Sequence, residues 1–151
     1  QTDKGFAARL KRADNSNTEY QSWEHLAAFH VNLEKDEERL PYALIAATIA
    51  KTKAEHNGRL TLGQAIARCY DEGNNSDQAK AKLRRVLACN SVDELCRVLR
   101  PLLSLIESRL GAALDYEKTL SELLYFRHNA QAIKSRWAQD FYGRSNEGEI
   151  A

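Results

Sequence analysis

The side chains in this sequence best suited to chemistry are basic ones grouped on amphipathic segments, and the chemistry they suit is phosphate binding. Lys80, Lys82, Arg84 and Arg85 fall within about one and a half helical turns. Arg97 and Arg100 are three apart, which puts them on one helical face. Arg9 and Arg12 repeat that spacing with Lys11 between them. Every phosphate such side chains neutralise releases a counterion, and a guanidinium can donate to two oxygens at once.

Net charge does not supply this chemistry. The chain has 22 Lys and Arg against 21 Asp and Glu, a formal +1. What matters is segregation. Residues 34–38 (EKDEE) hold four acids and one lysine, whereas residues 78–100 hold six cations against Asp93 and Glu94. Residues 4–12 carry Lys4, Arg9, Lys11 and Arg12 and no acid. Binding through such patches is mainly electrostatic, weakly sequence-specific and salt-sensitive. Aromatic side chains could add base stacking, but the spacing of Trp137 and Phe141 with Ile133 assigns them to a core.

Catalytic and metal-binding patterns are missing. No phosphate-binding loop, dinucleotide fingerprint, HExxH or GxSxG occurs. His25 and His30 are five apart, a poor spacing for two metal ligands on one helix. Glu37 and Glu38 are adjacent, so on a helix they diverge by about 100° and read as a solvated acidic run. Cys69, Cys89 and Cys96 form no CxxC pair and read as small buried apolar residues in a reducing compartment. These features point to a non-enzyme with no metal and no cofactor.

The elements that must position the cations are helices. Two prolines and seven glycines in 151 residues, with little sustained alternation, predict an all-α fold. Short polar turns predict a compact antiparallel helical bundle, with two packed sub-bundles as one possible arrangement and DEGNNS (71–76) as the break between them. Residues 5–13 read as a short basic helix, followed by a loop that Thr18 closes as a cap. A helix is predicted from Tyr20 to about Leu33, with Trp23, Leu26, Ala27, His30 and Val31 on one face. EKDEE reads as a connection, Pro41 as the first turn of the next helix, and Asn57-Gly58 as its end. Thr61 caps a short helix, and Asp77 starts the one bearing Lys80 to Arg85. Ser91 to Glu94 has capping-box spacing, and Pro101 is expected to kink the helix after it. Asp115 begins another helix, and the last runs from about Asn129 to Tyr142. No apolar run is long enough to span a membrane, and no signal-peptide pattern appears, which predicts a cytoplasmic location. The chain opens on Gln1 rather than Met, as expected of a processed or trimmed N-terminus.

Several segments in order carry a family resemblance. LTLGQAIA (60–67), LRRVLACNSVDELCRVLRPLL (83–103) and RWAQDFY (136–142), with LKRA (10–13) ahead of them, resemble the CasB family, the small subunit of the type I-E CRISPR Cascade complex. The resemblance covers roughly residues 6–143. It implies an all-helical, non-enzymatic subunit present in two copies, contacting the backbone and large subunits of the complex. It further implies contact with the crRNA and with the target and non-target DNA strands, where base pairing supplies sequence specificity and protein holds the backbone. By position it singles out Arg12, Arg84, Arg85 and Arg100, Lys134 and Arg136 in the C-terminal basic segment, and Lys51 and Lys53 in place of a basic loop. An alternative is a helical adaptor whose basic faces dock acidic protein partners. A small helical enzyme with dispersed catalytic groups is a third reading.

Overall fold

The computed structural model describes residues 8, 9, 11, 12 and 17–143, and its described residues are helical with short connections. Ala8, Arg9 and Lys11 are helical and Arg12 is in a 3-10 turn, while the rest of the expected first helix lies outside the described residues. The named helices are α1 (Trp23–Ala28), α2 (Asp36–Thr52), α3 (Leu62–Arg68), α4 (Asp77–Leu87), α5 (Val92–Leu110) and α6 (Tyr116–Tyr142). Short 3-10 turns precede α1 and α4. Among the described residues, none of the helices is long and apolar enough to cross a membrane.

The N-terminal third departs most from the sequence expectation. Thr18 makes no side-chain cap; its hydroxyl donates to the Arg12 carbonyl at 2.6 Å. The helix expected to reach Leu33 stops at Ala28. Val31 N–H donates to the Leu26 carbonyl and His30 N–H to the Ala27 carbonyl, with His30 left-handed at φ 67. That is a Schellman ending with histidine where glycine is usual, so the sequence carries no obvious stop signal. Leu26 and Val31 are buried, while Trp23, Ala27 and His30 face outward.

EKDEE is not a free connection. Asp36, Glu37 and Glu38 form the first turn of α2, where their charges meet the positive end of the helix dipole. Pro41 therefore sits inside the helix rather than at its start. The helix also ends earlier than Asn57-Gly58, on Lys53 in the left-handed region at φ 55. Asn57 caps a different helix instead. Its Oδ1 accepts from the backbone N–H of Tyr116 at 2.7 Å and of Glu117 at 3.2 Å, while its Nδ2 donates to Asp115 at 2.6 Å. Gly58 lies so close under Ala113 that a Cβ would strike that residue's carbonyl oxygen. A single parallel bridge, Leu60 to Leu114, completes this clasp between two connections.

From α3 onward the helix-start signals hold, whereas the kink expected at Pro101 does not appear. Thr61 and Gln64 make a full capping box, Ser76 accepts from Ala79 N–H to start α4, and Asp115 accepts from Lys118 N–H to start α6. Ser91 accepts from Glu94 N–H, but Glu94 reaches back to Asn90 N–H rather than to that of Ser91. Helix α5 runs through Pro101, which faces solvent.

Helix α6 breaks at Asn129, whose φ of −136° and ψ of 30° are not helical. Phe126 and Trp137 lie on opposite sides of the break with ring centroids 6.2 Å apart. On a straight helix their Cα atoms would stand about 16 Å apart, so the two arms fold toward each other. Buried residues of α2 to α6 form one core, and those on both sides of 71–76, Ile66 and Leu83 for example, belong to it. A smaller cluster of Leu26, Val31, Ala43 and Ala47 sits under the N-terminal segment.

Candidate nucleic-acid interface

Helix α4 places its cations by the angle of each residue around the axis. Ala79, Leu83 and Val86 point into the core. At about 100° per residue, Lys80 and Arg84 fall on one flank of that stripe and Lys82 and Arg85 on the other. The four cations therefore divide into two pairs instead of making one array. Arg84 and Arg85 are exposed.

The Arg85 flank gains partners from other helices. The Cys89 thiol, buried at the turn after α4, lies within the fields of Lys134, Arg85 and Arg97. Burial raises its pKa, Glu94 adds to that, and the three cations oppose it. Cations from α4, α5 and α6 thus all act electrostatically on one buried thiol. Arg97 is held there by an exposed i,i+4 pair with Asp93 at 3.2 Å, an interaction of at most about 1 kcal/mol that a phosphate can replace. The Lys134 Nζ stands over the buried Phe126 ring, 5.8 Å from its centroid.

Other predicted residues sit elsewhere. Arg100 faces α2, where it lines a narrow crevice with Lys51, Thr48, Ser104 and Glu107. Its Nε is buried with no hydrogen-bond partner. Lys53 is exposed at the end of α2. Arg9 donates to His25 Nε2 at 3.0 Å, and Arg12 donates to Gln21 at 2.7 Å, which ties the N-terminal cations to the segment leading into α1. Lys11 is half-buried beside them.

Arg136 is occupied by the fold. It donates to Glu122 at 3.1 Å, and Trp137 Nε1 donates to the other oxygen of the same carboxylate at 2.9 Å. Glu122 is 4% exposed. The sequence reading missed this acid, although its place among Thr119, Leu123 and Phe126 on the apolar side of α6 was a usable signal. It also missed Glu19, equally buried, which accepts from Arg39 at 2.9 Å and from Trp23 Nε1 at 3.0 Å. Among the described residues, no cluster of three or more His, Cys, Asp or Glu side chains could hold a metal.

The chain matches the family model described as CRISPR-associated protein Cse2 over residues 7–142. It belongs to the CRISPR-associated Cse2 family. A curated Cse2 protein of Thermus thermophilus is 25% identical over 109 residues, which is 72% of this chain and 60% of that protein. The match thus spans less than two thirds of the relative's length. The fold is similar to that of M. ruber CasB, with a TM-score of 0.76 and 23% identity over 99% of this chain and 90% of that one. It is also similar to that of a crystallised Cse2-family CRISPR-associated protein from Thermus thermophilus, with a TM-score of 0.73 and 20% identity over 92% and 86% of the two chains. The Cse2 match takes in all six named helices, the Cys89 cation cluster included.

Proposed function

We propose that this Cse2-family chain is a non-catalytic small subunit of a type I-E Cascade complex in the cytoplasm. In that role it binds nucleic acid without reading sequence, stabilising crRNA–target pairing and the displaced strand of the R-loop. The observation that carries the binding reading is that Arg85 and Arg97 are exposed on two different helices, with Lys82 beside Arg85 on one cleft wall, and that both arginines and Lys134 act on the same buried thiol. Cations presented by three packed helices neutralise phosphates with no base selectivity. Arg84 stands with Lys80 on the opposite flank of α4 and makes a separate contact in this reading. Arg9, Lys11 and Arg12 form a second basic element, and Lys51, Lys53 and Arg100 a third. Arg136 contributes through position more than contact, because Glu122 already holds it.

The partners in this reading are the crRNA, both DNA strands, the Cascade backbone and large subunits, and a second copy of the chain. One feature supports the protein contacts, and with them the adaptor alternative. A groove lined by Leu26, Phe29, Tyr42, Ile45, Ile49 and Leu120 is apolar, and Phe29 is 72% exposed. None of its lining residues is Lys or Arg.

A gel shift with the isolated chain at low salt tests the function. Single- and double-stranded DNA should both shift, with log affinity falling linearly in log salt. Replacing Arg85, Arg97 and Lys134 by Ala should lower that slope by about two to three and shorten R-loop lifetime in the assembled complex. No shift at low salt, together with unchanged R-loop lifetime, refutes the reading.

A further inference from the structure

The second flank of α4 faces an aromatic ring. Gln78, Ala81, Lys82 and Arg85 form a continuous stripe along the helix, and with Tyr70 they line an open cleft of about 380 Å³. That size lies within the roughly 300–1,000 Å³ usual for sites that hold a small molecule or one monomer of a polymer. Tyr70 follows α3 and is half-buried against the core. Its ring is fixed by Arg109, whose guanidinium carbon stands 5.3 Å from the ring centroid while Nη1 donates to the Cys69 carbonyl at 2.6 Å. An already-ordered aromatic ring loses little freedom when a flat ligand lies on it.

The chemistry of the lining is specific in kind. Lys82 and Arg85 supply two cations on one wall, Gln78 an amide that can donate and accept, and Tyr70 an aromatic side chain. Ala81, between Gln78 and Arg85 on the stripe, is the small side chain that keeps the cleft open. Planar π surface, an amide and two cations together match one nucleotide: base on the ring, polar edge on the amide, flanking phosphates on the cations. A duplex cannot present this combination, because its bases are already stacked.

We infer that the cleft between Tyr70 and α4 takes one unstacked nucleotide of a single strand, with its base on the Tyr70 ring and its phosphates on Lys82 and Arg85. The inference rests on the nucleic-acid reading above and deepens it. It names the ligand as single-stranded and adds Tyr70, Gln78 and Lys82 to the contact set. Arg85 is shared between this cleft and the Cys89 cluster, so a strand leaving the cleft meets Arg97 and Lys134 next.

The test compares an oligothymidylate with an abasic strand of equal phosphate number. The wild-type chain should bind the base-bearing strand at least about fivefold more tightly, the low end of one base–aromatic stack. Tyr70→Leu should abolish that preference and leave the salt slope unchanged, while Tyr70→Phe should keep it. Ala81→Leu, on an exposed face of a helix, should fill the cleft and also abolish it without loss of fold. In the unmodified chain, a strand carrying 5-iododeoxyuridine should crosslink to Tyr70 on irradiation. Equal binding of the two strands by the wild-type chain, or a preference that survives both Tyr70→Leu and Ala81→Leu, overturns the cleft and leaves the electrostatic reading standing. Failure of the wild-type chain to bind any strand at low salt, with R-loop lifetime unchanged by replacing Arg85, Arg97 and Lys134, overturns both.

Discussion

Glu122 and Trp137 are joined by a hydrogen bond of 2.9 Å although fifteen residues separate them on one helical element. On a straight helix that separation is about 22 Å, so the bond exists only because α6 breaks at Asn129. Glu122 also holds Arg136. One buried carboxylate therefore closes the break and places the RWAQDFY segment. Glu122→Gln should lower stability by about 1.5–3 kcal/mol, the range for a hydrogen bond to a charged group. The lower part of that range is expected, since Arg136 reaches solvent and can rehydrate. Urea unfolding monitored by tryptophan fluorescence measures the change.

Gly63 offers a case in which two effects have opposite sign. Alanine is favoured over glycine inside a helix by about 1 kcal/mol. A Cβ at Gly63, however, would strike the Trp137 carbonyl oxygen and crowd Phe141 N. Gly63→Ala is expected to destabilise by about 1–3 kcal/mol, the usual cost of overpacking. A fall of several degrees in Tm would show that the close approach of α3 to α6 outweighs helix propensity, and a rise would show the reverse.

Asn57 both accepts at the start of α6 and donates to Asp115. Asn57→Ala should cost about 1–2 kcal/mol, as expected for a lost cap. Asn57→Asp keeps the acceptor but sets a second carboxylate against Asp115, so it should not restore stability at neutral pH. Thermal melts of the two variants at pH 7 and pH 3 separate the cap from the charge, because the aspartate variant should recover relative to the wild type as the introduced carboxylate protonates.

The thiols give a pH dependence with a defined sign. Burial pushes Cys96 up to about 12, with Arg100 pulling the other way, and burial raises Cys69 and Cys89 as well. A folded pKa above the unfolded one means the unfolded chain loses its proton first as pH rises. Stability from these groups is therefore complete below about pH 9 and is lost progressively between pH 9 and 12. For Cys96 the slope is up to about 1.4 kcal/mol per pH unit. Cys96→Ala should flatten the alkaline limb of a stability–pH curve. At pH 8, Cys96 should react with a thiol reagent only at the rate of global unfolding.

Arg85 and Arg136 should separate binding from folding. Arg85 is exposed, while Arg136 is tied to a buried acid. Arg85→Ala should weaken nucleic-acid binding with less than about 0.5 kcal/mol effect on stability, as is usual for surface changes. Arg136→Ala should show the opposite balance, with a clear loss in urea unfolding. Paired gel shifts and unfolding curves on the two variants decide the matter.

Read alone, the sequence determined the helices that local signals specify. Thr61 with Gln64, Ser76, Ser91 and Asp115 each satisfy N–H groups within a few residues of themselves, so their caps are legible without a fold. The four-residue spacing of Ile133, Trp137 and Phe141 was enough to assign them to the core, and each is at most 3% exposed. Boundaries set by distant partners were not legible. Asn57 looks like a helix end but caps an element that starts 59 residues later, and His30 stops α1 without the glycine that usually marks such a stop. The candidate site divides in the same way. Which residues are cationic is written in the chain, but Arg84 and Arg85 diverge around one helix axis, and only the packing of three helices lets Arg85, Arg97 and Lys134 all act on the Cys89 thiol. Periodicity gives the direction of a side chain relative to its own helix; only packing gives the position of one helix relative to another, and a binding surface is made of that second quantity.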